Sequence, residues 1–266
     1  MGFIVQTIQL SKRFGDFIAL DHLNISLEEG EIFALLGPNG AGKTTAIKLL
    51  TTLLTPSSGD AFIDGISIVK HPFKVRSLIG YVPQMLSAEG ALTGYENLLL
   101  FAKLYDIPSK EARLRVKQSL EFMNLEEFAH KAVKTYSGGM IRRLEIAQSM
   151  LHHPKVLFLD EPTTGLDPIG VKTVWQHLLE LKQQFNTTIL LTTHVMEEAD
   201  KLSDHVAFLS RGKLAAIGTP EELKSSLKKE NVTMEDVFIH YTKESLDNER
   251  SFSEVVTKRK TTSRLG

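Results

Sequence analysis

The amino-acid sequence predicts an α/β fold: a core of parallel strands, an antiparallel β lobe near the N-terminus, and an inserted helical subdomain at about residues 90–150. Three observations lead to this expectation. The β-rich runs "KVLFLD" and "TTILLTT" flank the helical stretch "KTVWQHLLELKQQF", which is the strand–helix–strand pattern of a parallel sheet. Short strand-like runs, such as "LNISL" and "AFIDGISI", come earlier in the chain. Helical spacing dominates the middle of the sequence.

Local signals place the individual elements. The stretch "LNISL" alternates apolar and polar residues as a half-buried strand does, and Asp64-Gly65 between two apolar segments predicts a hairpin. Thr93, followed three residues later by Glu96, predicts a capping box at the start of a helix. The next predicted helix is defined by apolar residues at helical spacing, which are Ala112, Val116, Leu120 and Met123.

Composition indicates an ordinary globular protein. The chain has 266 residues, of which 42% are hydrophobic and 24% charged, so it can bury a substantial core. Its formal net charge of −1 provides no basic field for nucleic acid, and we expect no nucleic-acid partner. The sequence has no cysteine, no recognisable secretory signal, and no apolar run near the roughly 18 residues of a membrane span. We therefore expect a cytoplasmic chain that does not cross a bilayer by itself.

We expect one domain over residues 1–240 and a polar C-terminal tail over 241–266 that is partly disordered. The basic residues Lys258, Arg259 and Lys260 in this tail fit a solvated terminus, and contact with anionic lipid is the alternative.

The stretch "GPNGAGKTT" has the G-x-x-x-x-G-K-[ST] pattern of a phosphate-binding loop, between an apolar strand and a helix. Its backbone N–H groups are expected to converge on phosphate oxygens at the positive end of the helix dipole. Lys43 is predicted to reach the β- and γ-phosphates, and the Thr44 hydroxyl to coordinate Mg²⁺. The sequence therefore predicts a P-loop NTPase core that binds a nucleoside triphosphate. The predicted contact residues are Gly37, Pro38, Asn39, Gly40, Ala41, Gly42, Lys43, Thr44 and Thr45.

A second acidic motif, "VLFLDEP", ends another apolar strand. Asp160 is expected to deliver a carboxylate that holds Mg²⁺ beside the phosphates. Glu161 is predicted to be the general base that orients or deprotonates the attacking water. The alternative, a pair of acidic residues that merely caps a helix, is disfavoured once the phosphate loop is present.

The motifs "GPNGAGKTT", "YVPQ", "YSGGM", "LFLDEP", "GLDP" and "TTH" follow one another in a fixed order. In this order they resemble the ATP-binding subunits of ABC transporters, over about residues 3 to 240. The resemblance implies an ABC ATPase fold, with ATP and Mg²⁺ as cofactors. It implies that Gln84 senses Mg²⁺ and water, that Asp167 crosses to a neighbouring subunit, and that His194 contacts the γ-phosphate. A surface histidine at a strand end is the alternative for the last of these.

Phe14 falls where the family usually places a tyrosine that stacks on adenine. A phenylalanine keeps the ring face, so the resemblance implies that stacking survives. The alternative is an N-terminal aromatic that is part of the core.

The stretch "YSGGM" resembles the family signature, with Tyr136 and Met140 replacing the usual leucine and glutamine. Two glycines at the start of a helix indicate that something comes close to the backbone there. The resemblance implies that Ser137, Gly138 and Gly139 face the γ-phosphate bound to the other subunit of a head-to-tail dimer. We expect the second subunit to be another copy of this chain.

The stretches "LTGYENLLLFAKLYDIP", "SGGMIRRLEIAQSMLHHP" and "MEDVFIHYT" resemble the daunorubicin-type drug-resistance and sodium-extrusion exporters of bacteria and archaea. That resemblance implies a separate polytopic membrane permease as partner, docked near Gln84 and the helical insertion. It also implies a location at the cytoplasmic face of the cell membrane.

Two other functions are considered. A soluble ABC ATPase that remodels a nucleic-acid or protein complex often has two fused ATPase domains or a long coiled coil, and this chain has neither. A P-loop kinase or GTPase outside the ABC family would leave "YSGGM" unexplained, and no guanine-reading N-K-x-D segment is present.

Overall fold

The computed structural model describes residues 2–227, 229 and 231–241. The strands are β1 (Val5–Phe14), β2 (Phe17–Leu23), β3 (Ser26–Leu27), β4 (Ile32–Leu36), β5 (Ser58–Ile63), β6 (Ile66–Ser67), β7 (Ile79–Val82), β8 (Val156–Asp160), β9 (Thr188–Thr193), β10 (His205–Ser210) and β11 (Lys213–Gly218). The α-helices are α1 (Lys43–Leu50), α2 (Pro72–Arg76), α3 (Gly94–Leu104), α4 (Ser109–Phe122), α5 (Gly138–Met150), α6 (Pro168–Phe185), α7 (Met196–Leu202) and α8 (Pro220–Ser225). Residues 234–241 are also helical.

The core is a 6-stranded sheet in the order β11-β10-β4-β9-β8-β7, parallel from β10 to β7 with β11 antiparallel at one edge. Every residue of β4, β8 and β9 is buried. Such strands read as continuous apolar runs because both faces of the sheet are covered. The carboxyl ends of β4, β8 and β9 lie side by side, so the segments that follow these three strands meet at one edge.

The antiparallel lobe has the strand order β2-β1-β5-β6, with β3 also paired to β1. The predicted hairpin is confirmed: β5 and β6 pair antiparallel, and the turn residues Asp64 and Gly65 have positive φ angles of 50° and 72°. Two successive positive φ angles suit the right-handed twist of a tight hairpin, which explains the Asp-Gly pair.

The prediction of one strand over "LNISL" is wrong. Leu23 ends β2, and only Ser26–Leu27 form β3. Asn24 separates the two because its Oδ1 accepts from the amide of Gln9 at 2.9 Å and its Nδ2 donates to the carbonyl of His22 at 2.8 Å. Short polar side chains compete in this way with the ladder for backbone groups.

The helices α3, α4 and α5 lie between β7 and β8, together with two 3₁₀ turns at Glu126–Phe128 and Val133–Thr135. The predicted capping box is present, since Thr93 Oγ1 accepts from the Glu96 amide at 3.1 Å and Glu96 Oε2 accepts from the Thr93 amide at 2.8 Å. The residues predicted to form the apolar face of α4 and its end are all buried: Ala112, Val116, Leu120 and Met123.

The predicted fold class is therefore confirmed: a parallel core, an antiparallel lobe and an inserted group of helices. The predicted polar tail lies outside the described residues, except for Tyr241. Across residues 2–227, 229 and 231–241, none of the helices combines the length and the apolar character needed to cross a membrane.

Candidate functional site

The phosphate loop joins β4 to α1 and depends on glycine. Gly42, immediately before α1, has a φ angle of 104°, and a Cβ there would lie 2.5 Å from the carbonyl oxygen of Ala19. No other residue type fits that backbone and that space. No side chain caps the N-terminus of α1 within the described structure. The first amides of the helix are therefore available to phosphate oxygens at the positive end of its dipole.

Lys43 begins α1 and is buried beneath this loop, with 4% of its surface exposed. Its Nζ donates to the carbonyl of Gly37 at 2.8 Å and to that of Pro38 at 3.3 Å. The same Nζ lies 3.2 Å from Oε1 of Glu161. A buried ammonium with three acceptors is stable here, and a phosphate oxygen is a further acceptor of the same kind.

Asp160 ends β8 directly beside the loop. Its Oδ1 accepts from Thr44 Oγ1 at 3.1 Å and from Thr192 Oγ1 at 2.6 Å. A hydroxyl and a carboxylate oxygen side by side are hard ligands that suit Mg²⁺, which takes one or two protein ligands together with substrate phosphates. Within the part of the chain that the structure describes, no group of three or more His, Cys, Asp or Glu side chains could hold a metal ion.

Three of the predicted catalytic residues converge on the Glu161 carboxylate. Besides Lys43 on Oε1, Gln84 Nε2 donates to Oε2 at 3.1 Å, and His194 Nδ1 lies 3.2 Å from the same oxygen. The hydroxyl of Thr164 also donates to Oε2 at 3.1 Å. These residues come from α1, from the segments after β7 and β9, and from the turn after β8. The fold therefore brings three distant parts of the chain to one carboxylate, where Thr164 from the same turn as Glu161 adds a local contact.

The backbone and charge state of Glu161 are both unusual. Its φ angle is +49°, in the left-handed region that non-glycine residues seldom adopt, and its amide bonds to Thr192 hold it there. Burial by itself raises the pKa of the Glu161 carboxyl, but Lys43 and then His194 oppose this, and the pKa is lowered overall. The side chain is consequently an anion over the whole neutral range.

The remaining predicted residues make other contacts. Phe14 ends β1 with its ring half exposed, and Lys12 Nζ lies 5.2 Å from the ring centroid. Ser137 caps α5 by accepting from the Met140 amide at 3.2 Å, and Asp167 caps α6 by accepting from the Gly170 amide at 2.7 Å. The two helix starts touch, since a Cβ on Gly139 would lie 3.3 Å from Gly170 Cα.

Comparison with known proteins decides the family. The family model described as ABC transporter matches residues 20–164, which include the phosphate loop, the α5 N-terminus and the Asp160–Glu161 pair. The chain belongs to the ABC transporter family. It is an ATP-binding subunit of that family, with the ATPase activity predicted from its motifs.

Two relatives are ATP-binding proteins named for drug resistance and for Nod factor export. The chain is similar to the daunorubicin resistance ATP-binding protein DrrA2 of Streptomyces coeruleorubidus, with 42% identity over 224 residues, 84% of this chain and 69% of that protein. It is similar to the Nod factor export ATP-binding protein I of Cupriavidus metallidurans, with 40% identity over 226 residues, 85% of this chain and 74% of that protein.

Two solved ABC structures are similar in fold. The structure of cbiO1 from Clostridium perfringens, part of the ABC transporter complex cbiONQ, has a TM-score of 0.79 at 31% identity and covers 86% of this chain and 93% of its own. The dimeric post-hydrolysis state of the ATP-binding cassette MJ0796, bound to ADP and Pi, has a TM-score of 0.73 at 27% identity and covers 81% of this chain and 98% of its own.

The ABC assignment resolves the alternatives considered from sequence. A kinase or GTPase outside the family is excluded, and the comparisons do not favour a soluble ATPase that remodels another complex. ABC ATP-binding subunits work with membrane permease components, and this chain is a subunit of that kind.

Some site residues of this ABC subunit were missed at the sequence level. Thr192 and Thr164 bind the two acidic side chains, but a threonine near a strand end carries no recognisable signal. A fully buried glutamate, Glu198 on α7, accepts from Thr163 Oγ1 and Trp175 Nε1, each at 2.9 Å. Burial raises its pKa, although these donors and Thr193 act in the opposite direction. Glu198 thus connects α7, which follows His194, to Thr163 in the segment after Glu161.

Proposed function

We propose that this chain binds Mg-ATP on the phosphate loop and hydrolyses it with Glu161 as the general base. The observation that carries the proposal is the convergence of Lys43, Gln84 and His194 on the Glu161 carboxylate, beside the paired oxygens of Thr44 and Asp160. These positions provide a cation for the phosphates, oxygen ligands for a metal, and a base for water, which are the parts that phosphoryl transfer requires.

The Lys43–Glu161 contact suggests how substrate prepares the base. An incoming γ-phosphate competes for the Lys43 ammonium, because a phosphate oxygen is a stronger acceptor than the carbonyls and brings more negative charge. Transfer of Lys43 from Glu161 to phosphate leaves the carboxylate held only by Gln84, Thr164 and His194. The carboxylate then has an oxygen free to accept a proton from water.

Thr44, Asp160 and Gln84 are the proposed protein ligands of Mg²⁺. When bound there, the ion neutralises charge on the β- and γ-phosphates. His194 is proposed to contact the γ-phosphate. Phe14 is proposed to stack on the adenine, which its half-exposed ring at the end of β1 permits.

The α5 N-terminus is proposed to bind the nucleotide of a second copy. Ser137, Gly138 and Gly139 open a helix of 13 residues, and the dipole of such a helix attracts an anion. Asp167 begins α6 next to them and is proposed to cross to the same partner. In this arrangement ATP is enclosed between two chains, and hydrolysis releases them.

We further propose that the ATP-driven closure of two copies moves a polytopic permease at the cytoplasmic face of the membrane, in the direction of export. The ABC assignment supports a permease partner, and the similarity to a protein named for Nod factor export supports the direction. The single ATPase domain over residues 1–240 is the proposed motor unit.

A tagged Glu161→Gln chain tests the transport function in the native cell. Membranes are extracted in mild detergent with Mg-ATP, and the proteins that co-purify are identified. We expect a polytopic membrane protein in a fixed ratio, lost when Lys43→Ala is added because nucleotide no longer binds. Recovery in the soluble fraction with a ribosomal or repair complex would contradict a transport function and leave the ATPase assignment intact.

A further inference from the structure

A buried ion pair on α5 binds the segment that carries Gln84. Arg142 is among the largest fully buried side chains, and it lies one turn inside the helix that Ser137 caps. Its Nη1 lies 3.0 Å from Oε2 of Glu145, which is also almost completely buried. Taking two charges out of water costs several kcal/mol each unless further hydrogen bonds satisfy them. The location of those further bonds is therefore informative.

The remaining bonds of Arg142 go to the backbone after β7. Nη1 donates to the carbonyl of Pro83 at 2.6 Å, and Nη2 donates to the carbonyl of Gln84 at 2.7 Å. The planar fork of a guanidinium reaches two carbonyls at once, which a lysine ammonium does not reproduce. Arg142 thus fixes the peptide units on both sides of the Gln84 Cα.

Glu145 binds the other end of the same segment. Its Oε1 accepts from the amide and the hydroxyl of Ser87 and from the amide of Ala88, the last at 3.2 Å. Between the two attachment points, Met85 and Leu86 are exposed. Residues 83–88, here called the glutamine loop, have no helix or strand of their own. The loop is consequently held by α5 at its two ends.

The position of the glutamine loop determines a contact in the catalytic cluster, because Gln84 Nε2 donates to Glu161 Oε2 at 3.1 Å. We propose that Arg142 and Glu145 are positioning residues that hold Gln84 against Glu161, and that they make this contact depend on the position of α5. The inference rests on the proposed function, in which the N-terminus of α5 serves the nucleotide of the second copy. Through this pair, the arrival of one nucleotide at α5 is transmitted to the base that serves the other nucleotide.

Stability alone does not explain this pair. Replacing a buried ion pair with apolar side chains of similar volume is often neutral or stabilising. The hydrogen bonds that Arg142 and Glu145 make outside the pair reach the glutamine loop, so the pair is better explained as a device that holds this loop in place. A structural pair and a positioning pair differ in what happens when Gln84 is absent, and this difference can be measured.

The first test compares the kcat and KM for ATP of the full chain carrying Arg142→Met, in the wild-type and Gln84→Ala backgrounds. If Arg142 acts through Gln84, we expect Arg142→Met to lower kcat at least tenfold with KM changed less than about twofold, and Arg142→Lys to restore part of the loss. In the Gln84→Ala background we expect a further change of less than about twofold. The matched control is Arg143→Met, because Arg143 donates to Met123 and Asn124 and not to the glutamine loop. We expect it to keep kcat within about twofold.

The second test observes the loop directly. The chain has no cysteine, so Met85→Cys, at a side chain that is 81% exposed, accepts a single spin label. We expect the electron paramagnetic resonance spectrum to show faster label motion in Arg142→Met and in Glu145→Gln, and no change in Arg143→Met. This readout needs no catalytic activity. If Arg142→Met fails to fold, Glu145→Gln serves in its place, because it keeps the shape of the buried side chain.

The outcomes separate the two proposals. Equal losses of kcat from Arg142→Met in both backgrounds, or unchanged spectra, would overturn the positioning role and leave the proposed ATPase site standing. An unchanged kcat in Gln84→Ala alone would remove Gln84 from the proposed site, and the positioning role would go with it.

Discussion

The Glu161→Gln substitution should destabilise the nucleotide-free chain, although the change is nearly isosteric. The Lys43 ammonium and the Glu161 carboxylate lie 3.2 Å apart with side chains only 4% and 7% exposed. Removing one partner of a buried pair costs about 3–5 kcal/mol when the other charge is left alone. Lys43 keeps two carbonyl acceptors, so we expect a smaller loss of about 2 kcal/mol in the free energy of unfolding.

A loss of this size is measurable by differential scanning calorimetry. About 2 kcal/mol corresponds to a fall in Tm of about 4–8 °C for a domain of this length. A non-hydrolysable ATP analogue with Mg²⁺ should then raise the Tm of Glu161→Gln more than that of the wild type. The wild-type chain must separate Lys43 from Glu161 to bind phosphate, whereas the variant has no such pair to break. The matched control is Glu197→Gln on α7, because the Glu197 side chain is 62% exposed and forms a solvent-exposed ion pair with Lys201. We expect its Tm to change by less than about 1 °C.

The pH dependence of this difference follows from the lowered pKa of Glu161. A carboxyl whose pKa is lower in the folded state stabilises the protein above its unfolded value, near 4.5, and the stabilisation is lost as the pH falls through the folded value. The gap in Tm between wild type and Glu161→Gln should therefore be full at pH 7 and shrink below about pH 4.5. A Tm for Glu161→Gln within 1 °C of the wild type at pH 7 would contradict a stabilising Lys43–Glu161 pair, because the buried pair would then contribute nothing.

Three further predictions concern other parts of the chain. Phe14→Ala should raise the KM for ATP about tenfold, whereas Phe14→Tyr should leave it within about twofold, since base–aromatic stacking contributes about 1–3 kcal/mol. Steady-state kinetics measure both values, and a KM for Phe14→Ala equal to that of the wild type would show that the ring does not stack on adenine. Gly139→Ala should weaken the ATP-dependent association of two chains about tenfold, because its Cβ would lie 3.3 Å from Gly170 Cα and push the starts of α5 and α6 apart. Nucleotide binding to a single chain, measured by titration calorimetry, should be unaffected. Deletion of residues 250–266 should leave the ATPase rate unchanged if the tail is a solvated terminus, and a clear loss would indicate a role in the motor.

The segments of the candidate site that are local in the chain could be proposed from the sequence alone. The phosphate loop and the Asp160–Glu161 pair each follow a buried apolar strand, and strand, loop and helix lie within a few residues of one another. Thr93 and Asp64-Gly65 were predictable for the same reason, because capping boxes and tight hairpins are decided by neighbouring residues.

Contacts between distant segments could not be predicted in this way. The Lys43–Glu161 pair requires that β4 and β8 both flank β9, and this strand order is decided by packing of the whole sheet. The bonds from Arg142 to Pro83 and Gln84 connect residues 58 or 59 positions apart. In the sequence, Arg142 and Glu145 resemble an ordinary solvated pair on a helix, and only their burial distinguishes them.

In the proposed dimer, ATP is enclosed between the phosphate loop of one chain and the Ser137-Gly138-Gly139 segment of another. The most direct measurement is multi-angle light scattering of purified Glu161→Gln with Mg-ATP and, separately, with Mg-ADP. We expect twice the 29.7 kDa of one chain with Mg-ATP and a single chain with Mg-ADP. Addition of Ser137→Arg, which places a bulky cation at the start of α5, should return the Mg-ATP sample to a single chain. A single chain under all conditions, with ATP demonstrably bound, would contradict the shared site.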